Sequence, residues 1–232
     1  MNRQTHSNLF AGAALCVLLA VPSAPGAIID DFTTPQGPLS GFATSEQVAP
    51  VLGGERDMIV LTSMTASVVG GAGNWSASAN GQGGGLIYDG IDGSSTPALG
   101  LGGLDLTDGG LSDRFWIDVT QLTGTLSLAF EAYEATFDAG SQVVSVSSTG
   151  SISVLFSSLV TSGAGANLAA VNQVNLGIRN MSNGSAITFD NFCTGDASGC
   201  ISGPRSTVPE PGTWALFAAG LAALGLRRRR AA

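Results

Sequence analysis

Apolar side chains recur at every second position through the middle of this chain, and that period restricts it to extended strands with one covered face. Phe115, Ile117 and Val119 fall on one side of such a strand, Trp116, Asp118 and Thr120 on the other. Leu126, Leu128 and Phe130 repeat the pattern, as do Val144 with Val146, and Ile152, Val154 and Phe156. Val174, Leu176 and Ile178 follow, then Ile187 and Phe189. Met58-Ile59-Val60-Leu61 is a continuous apolar run, as for a strand covered on both faces. Between the terminal segments no stretch sustains the helical apolar period; Ala166 to Ala170 offers one helical turn.

Composition agrees with an all-β body. Only 11% of the 232 residues are charged, whereas 33 are glycine, and disorder requires high net charge with few apolar groups. There is no lysine, and of the nine arginines Arg3 and Arg227 to Arg230 lie near the chain ends. Arg56, Arg114, Arg179 and Arg205 are left to face nearly all of the 17 acidic residues. An acidic body repels a phosphate backbone, which makes nucleic acid a poor partner and suits a solvated, exported protein.

Turn chemistry sets the connections. Pro35 to Gly41 and Asp89 to Gly110 read as loops, and Gly70 to Gly85 as a turn region leading to Leu86-Ile87-Tyr88. Asn183-Gly184 between two alternating runs predicts a final antiparallel hairpin from about Val174 to Phe192, because both residues tolerate the positive φ of a type I′ turn. The sum is an antiparallel, jelly-roll-like β-sandwich over residues 28–207, flanked by an N-terminal signal helix and a C-terminal hydrophobic helix.

The two ends read as addresses. Residues 1–27 have the form of a secretory signal peptide: Arg3, an apolar core from Leu9 to Val21, then Pro22 and small residues before cleavage near Gly26 or Ala27. Cys16 and His6, the chain's sole histidine, are discarded with it. In residues 208–232, Pro209-Glu210-Pro211 stays extended because each proline fixes φ and removes an N–H donor. The uncharged run Trp214 to Leu226 follows, and Arg227, Arg228, Arg229 and Arg230 stop it, as the positive-inside rule requires of a tail left in the cytoplasm. That run of 13 residues rises about 20 Å as a helix against a hydrocarbon core of about 30 Å, which suits a transient anchor.

Motif, apolar segment and arginine cluster in this order resemble the PEP-CTERM protein-sorting signal. The resemblance implies export through the inner membrane of a Gram-negative bacterium that makes exopolysaccharide. It further implies retention in the membrane, cutting near Pro209, Glu210 and Pro211 by the membrane protease exosortase, and delivery to the cell surface or extracellular matrix. The body, with Asp31-Phe32 near its start and Phe189-Asp190-Asn191-Phe192 in its last strand, resembles galactose-binding-like and carbohydrate-binding sandwich domains, from which it departs in having few aromatics.

Candidate sites are few. Cys193 and Cys200, the cysteines left after signal removal, are expected to form a disulfide that stabilises the fold by about 2.5 kcal/mol in the chain-entropy model. Two cysteines are too few for a zinc site. Without His or Lys the mature body lacks the usual bases of nucleophilic catalysis, and no catalytic residue is assigned. Glu131 and Glu134 stand three apart on a strand, point to opposite faces, and read as solvated surface. Asp89-Gly90-Ile91-Asp92-Gly93 and Asp105-Leu106-Thr107-Asp108-Gly109 place oxygen ligands in Gly-rich loops that Ca²⁺ tolerates, but lack the Asp-x-Asp-x-Asp-Gly order and read first as turns; Asp31 with Asp190, brought together by the first and last strands, is the other candidate Ca²⁺ site, and no other cofactor is expected. Trp116, on the polar face of its strand, is the candidate carbohydrate contact. The chain thus reads as an exported structural or adhesive, non-catalytic protein. The alternative is a carbohydrate-binding module for exopolysaccharide, and a glycoside hydrolase stands behind both.

Overall fold

The computed structural model describes residues 27–200. The expected signal segment, up to residue 26, and the sorting tail with Pro209 to Pro211 and Arg227 to Arg230 lie outside the described residues. The chain forms β1 (Ile28–Asp30), β2 (Gln36–Ser40), β3 (Ala43–Val48), β4 (Glu55–Val60), β5 (Met64–Val69), β6 (Ala72–Ala77) and β7 (Gln82–Tyr88). After a long connection come β8 (Arg114–Thr123), β9 (Leu126–Tyr133), β10 (Ala139–Val146), β11 (Gly150–Leu155) and β12 (Val160–Ser162). The last strands are β13 (Gln173–Met181), β14 (Ala186–Asp196) and β15 (Gly199–Cys200).

These strands make two antiparallel sheets packed face to face, the expected sandwich. The first runs β11-β8-β14-β6-β5-β2, with β1 and β15 added to β14, and the second runs β12-β10-β9-β13-β7-β4-β3. The alternating residues meet between the sheets: Phe115, Ile117, Ile187 and Phe189 from the first, Leu128, Phe130, Leu176 and Ile178 from the second. Trp75 stacks on Phe189 at 5.1 Å and Phe32 meets the same ring edge-on at 5.4 Å. Each such buried side chain contributes about 1.5–3 kcal/mol relative to exposure.

Three expectations are corrected. The Asn183-Gly184 turn does not close a hairpin. β13 pairs with β7 and β9, and β14 with β6 and β8, so this turn carries the chain from one sheet to the other. Gly184 has a positive φ of 78° but Asn183 does not, so the type I′ geometry is absent, and Gly184 N–H instead donates to Ala77 O at 2.9 Å. The apolar faces of β13 and β14 look at each other across the core. Second, the glycine-rich stretch 70–85 contains β6, which Gly73 permits: a Cβ there would stand 2.6 Å from the Phe189 ring. Third, the Pro35 to Gly41 loop is largely β2, an edge strand, where proline is tolerated.

β4 carries opposite charges on its two faces. Arg56 points inward and is fully buried. Its Nη1 donates to both Asp30 oxygens at 3.1 and 2.8 Å, its Nε to Gln36 Oε1 at 2.7 Å, and its Nη2 to Thr34 O at 2.6 Å. Tyr88 Oη donates to Asp30 at 2.9 Å. Glu55 and Asp57 point outward, yet they too are buried, and the connection after β7 runs close by, its Ile91 beside Gly54. Burial pushes the Asp57 carboxyl up to about 8, aided by the negative charges of Asp89, Glu55, Asp92 and Glu46.

Removing one partner of a buried ion pair strands the other. Arg56→Ala is therefore expected to cost about 3–5 kcal/mol, or about 6–20 °C in Tm, in a thermal melt followed by circular dichroism. Arg114→Ala, which breaks the exposed pair with Asp113, should leave the midpoint unchanged. A second expectation concerns pH. Folded Asp57 keeps a proton between its ordinary pKa of 3.8 and about 8 that the unfolded chain has lost. In buffer freed of divalent cations, stability should fall as pH rises across that window and level off above it. Asp57→Asn should flatten the fall, as measured by urea unfolding at a series of pH values.

Candidate functional site

The outer face of the second sheet carries an open cleft of about 460 Å³. Its floor follows from register. Ile59 lies opposite Gly85, Gly85 opposite Gly177, and Gly177 opposite Ala129, so the centre of four neighbouring strands bears almost no side chain. Gly85 could not be otherwise without displacement, since a Cβ would stand 2.9 Å from Leu176 O. Ile59 and Leu61 form an apolar wall, and Asn175, Glu131 and Arg179 form a polar one.

The polar wall is a connected network. Arg179 Nη2 donates to Glu131 Oε1 in a charge-assisted bond. Asn175 Nδ2 donates to Glu131 Oε2 at 3.3 Å, Tyr133 Oη donates to the same oxygen at 3.0 Å, and Gln173 Nε2 donates to Asn175 Oδ1 at 2.8 Å. Burial first, and then the Glu131 charge, pushes the Tyr133 phenol up to about 12, so it stays a donor. Asn175 and Gln173 also line a second hollow, walled by Tyr133 and by Pro97 to Leu99 of the connection after β7. Asn175 thus lines both hollows, and the polar positions 173, 175 and 179 on β13 span about 20 Å along the strand.

The expectation that Glu131 is solvated surface is corrected: it is 9% exposed and held in the cleft wall. Glu134 lies beyond the end of β9 and accepts from Asn167 N–H at 3.0 Å. Trp116 sits on the outer face of the first sheet, away from the cleft, half-buried, with its Nε1 donating to Asp196 O at 3.0 Å and Arg114 over its ring. β1 does pair with β14, and the charges of Asp118 and Asp31 both reach Asp190, whose carboxyl is raised first by burial. Among the described residues no group of three or more His, Cys, Asp or Glu is gathered as a ready metal site. The Asp-Gly loops are turns: Asp92 caps Ser94 N–H and Asp105 caps Thr107 N–H, each at 2.8 Å. Cys193 and Cys200 form the disulfide, with Cα atoms 5.9 Å apart.

Asn175, Arg179, Gln173 and Tyr133 carry no weight in the sequence reading. Their signal was the other half of the alternation: β13 places Gln173, Asn175 and Arg179 at odd positions opposite its apolar residues.

Residues 207–230 match the family model of the PEP-CTERM protein-sorting motif, which indicates an exported protein with a C-terminal membrane-anchoring signal and implies exosortase processing. No curated protein sequence matches the chain. Among solved structures, the chain is similar to a family 11 carbohydrate-binding module from Clostridium thermocellum in complex with a β-1,3-1,4-mixed-linked tetrasaccharide, at 15% identity, covering 75% of this chain and 98% of that one, with a TM-score of 0.41. It is similar to a family 29 carbohydrate-binding module at 13% identity, covering 66% and 88%, with a TM-score of 0.35. An agarase is similar over 75% of this chain and 25% of its own, at 9% identity and a TM-score of 0.45.

Proposed function

We propose that this chain is an exported, non-catalytic protein of the cell surface or extracellular matrix of a Gram-negative bacterium, and that the cleft of its second sheet binds a polysaccharide. The observation that carries the reading is the cleft itself: a floor of glycines between an apolar wall and the Asn175, Glu131 and Arg179 row, which Gln173 extends. A sugar ring presents C–H faces and hydroxyl edges, and such a groove offers a surface to the first and amide, carboxylate and guanidinium partners to the second. Each arginine among the described residues is paired with a carboxylate, which favours a neutral glycan over a polyanion. Glu131 is engaged by three neighbours at once, which suits a positioning group better than an acid or nucleophile. The second reading, a structural or adhesive protein without a bound glycan, is supported by the sorting motif alone.

Affinity electrophoresis against a panel of neutral and acidic polysaccharides tests the first reading. Retardation is expected on at least one neutral glycan, and Asn175→Ala should weaken it about tenfold or more while leaving Tm near wild type; Arg179→Ala should weaken it likewise but also lower Tm, because the nearly buried Glu131 loses its cation. Loss on Trp116→Ala with the cleft variants unaffected would move the site to the first sheet, and no retardation on any glycan would leave the structural reading. For the sorting step, mass measurement of the mature protein from its native host should find the chain ending upstream of Trp214. A mature surface protein that retains Leu226 and the arginines would make the tail a permanent anchor.

A further inference from the structure

Two asparagines of this chain precede a glycine, Asn80 and Asn183, and the fold joins them by a hydrogen bond. Residues 78–81 carry the chain from β6 in the first sheet to β7 in the second, and residues 182–185 carry it from β13 in the second back to β14 in the first. The two crossings are tied where Asn183 N–H donates to Asn80 Oδ1 at 2.8 Å. Asn80, Gly81, Asn183 and Gly184 are all exposed. Alike in sequence, the two pairs differ at the glycine nitrogen. Gly184 N–H donates to Ala77 O at 2.9 Å, whereas Gly81 N–H donates to no protein group among the described residues.

A backbone nitrogen that follows asparagine stands one ring closure from the side-chain carbonyl carbon, and glycine has no Cβ to shield that nitrogen. At Asn80 three conditions for the closure meet. Gly81 N is open to solvent, so hydroxide can take its proton. The turn is uncrowded, since a Cβ on Gly81 would meet nothing within 4 Å. The Asn183 N–H lies on Asn80 Oδ1, where negative charge gathers as the carbonyl becomes tetrahedral, and a fixed donor there lowers the barrier.

We infer that Asn80 is a site of spontaneous deamidation and that the fold protects Asn183 from the same reaction. Gly81 N gives its proton to hydroxide and bonds to Asn80 Cγ; the Cγ–Nδ2 bond breaks, and ammonia leaves with a proton taken from water. The product is a succinimide. Water then opens the ring, at the new bond to give aspartate or at the main-chain carbonyl to give isoaspartate. At Asn183 the closure must first free Gly184 N–H from Ala77 O, which requires local opening of the crossing. Gly81 and Gln82 line the cleft of the second sheet, so the reaction sets a carboxylate at its rim, and isoaspartate lengthens the backbone there by one atom.

The test incubates the full chain in detergent micelles in mildly alkaline buffer, folded and in urea, and follows both sites by peptide mass mapping. Deamidation raises the mass of a peptide by a single unit, and chromatography separates the aspartate and isoaspartate forms. In the folded chain Asn80 should convert at no less than about a tenth of its rate in urea, and Asn183 should lag behind Asn80 about tenfold or more. In urea the two should convert at similar rates. Asn80→Gln, which keeps the amide but enlarges the ring to be closed, should abolish the product at residue 80. Three results would overturn the inference: no conversion of folded Asn80 while the unfolded chain converts, Asn183 keeping pace with Asn80 in the fold, or a lag at Asn183 that persists in urea and so owes nothing to the Gly184–Ala77 bond.

Discussion

The Arg56 guanidinium lies wholly between the two sheets, and much of the surrounding structure is arranged by the need to satisfy it. Its partners come from both sides of the sandwich: Asp30 from β1, Gln36 from β2, and Tyr88 through Asp30 from β7. β1 is only three residues long and adds to β14 with a register shift, so its ladder alone would hold it weakly. The Asp30 carboxylate ties it to the second sheet instead. Gln36 extends the tie, donating to Ser45 O at 3.0 Å and so joining edge strand β2 to edge strand β3 across the rim. A charged group with so many fixed partners fits one register only, and that is a specificity device as much as a stabilising one.

The period of a strand then dictates what stands behind it. Glu55-Arg56-Asp57 must alternate, so placing Arg56 inward places both acids outward, onto the face that the cleft also uses. Seen from outside, that face has three zones: the acids of β4 beside the connection after β7, a glycine floor, and the amide and Glu131–Arg179 wall. The connection belongs to the first zone and, through Pro97 to Leu99, to the wall of the second hollow.

Residues whose burial is decided by alternation were legible, and those decided by which sheet a strand joins were not. Phe115, Ile117, Val119, Leu128, Phe130 and the alternating Val174, Leu176 and Ile178 are core, as their period requires. β6 escaped notice because Gly73 and the serines around Trp75 look like turn, although the small residue is what admits the Phe189 ring. The Asn183-Gly184 turn misled for a different reason: the dipeptide permits a hairpin but does not compel one, and two apolar faces are better covered by opposing each other than by lying side by side. Glu131 is the same lesson at the site. Comparing it with Glu134 along one strand said nothing of Arg179, 48 residues away in sequence and its neighbour across β13. Trp116 was placed correctly on a polar face, but on the sheet that lacks the cleft.

The ends of the described body bear on how the cleft can be used. Ala27 and Thr194 exchange two hydrogen bonds, at 2.9 and 3.0 Å, and Cys200 is bonded to Cys193, so the chain enters and leaves beside β14 in the first sheet. The cleft opens on the outer face of the second. An attachment at either end thus pulls on the sheet opposite the cleft, and its load passes into β14, a central strand flanked by β8 and β6 and stapled by the disulfide, rather than into β13 or β7. The same topology explains why the polar network is built on β13 and β9: they are inner strands of the second sheet, paired on both sides, and they hold Glu131, Asn175 and Arg179 on backbone that neither the ends nor the sheet edges disturb.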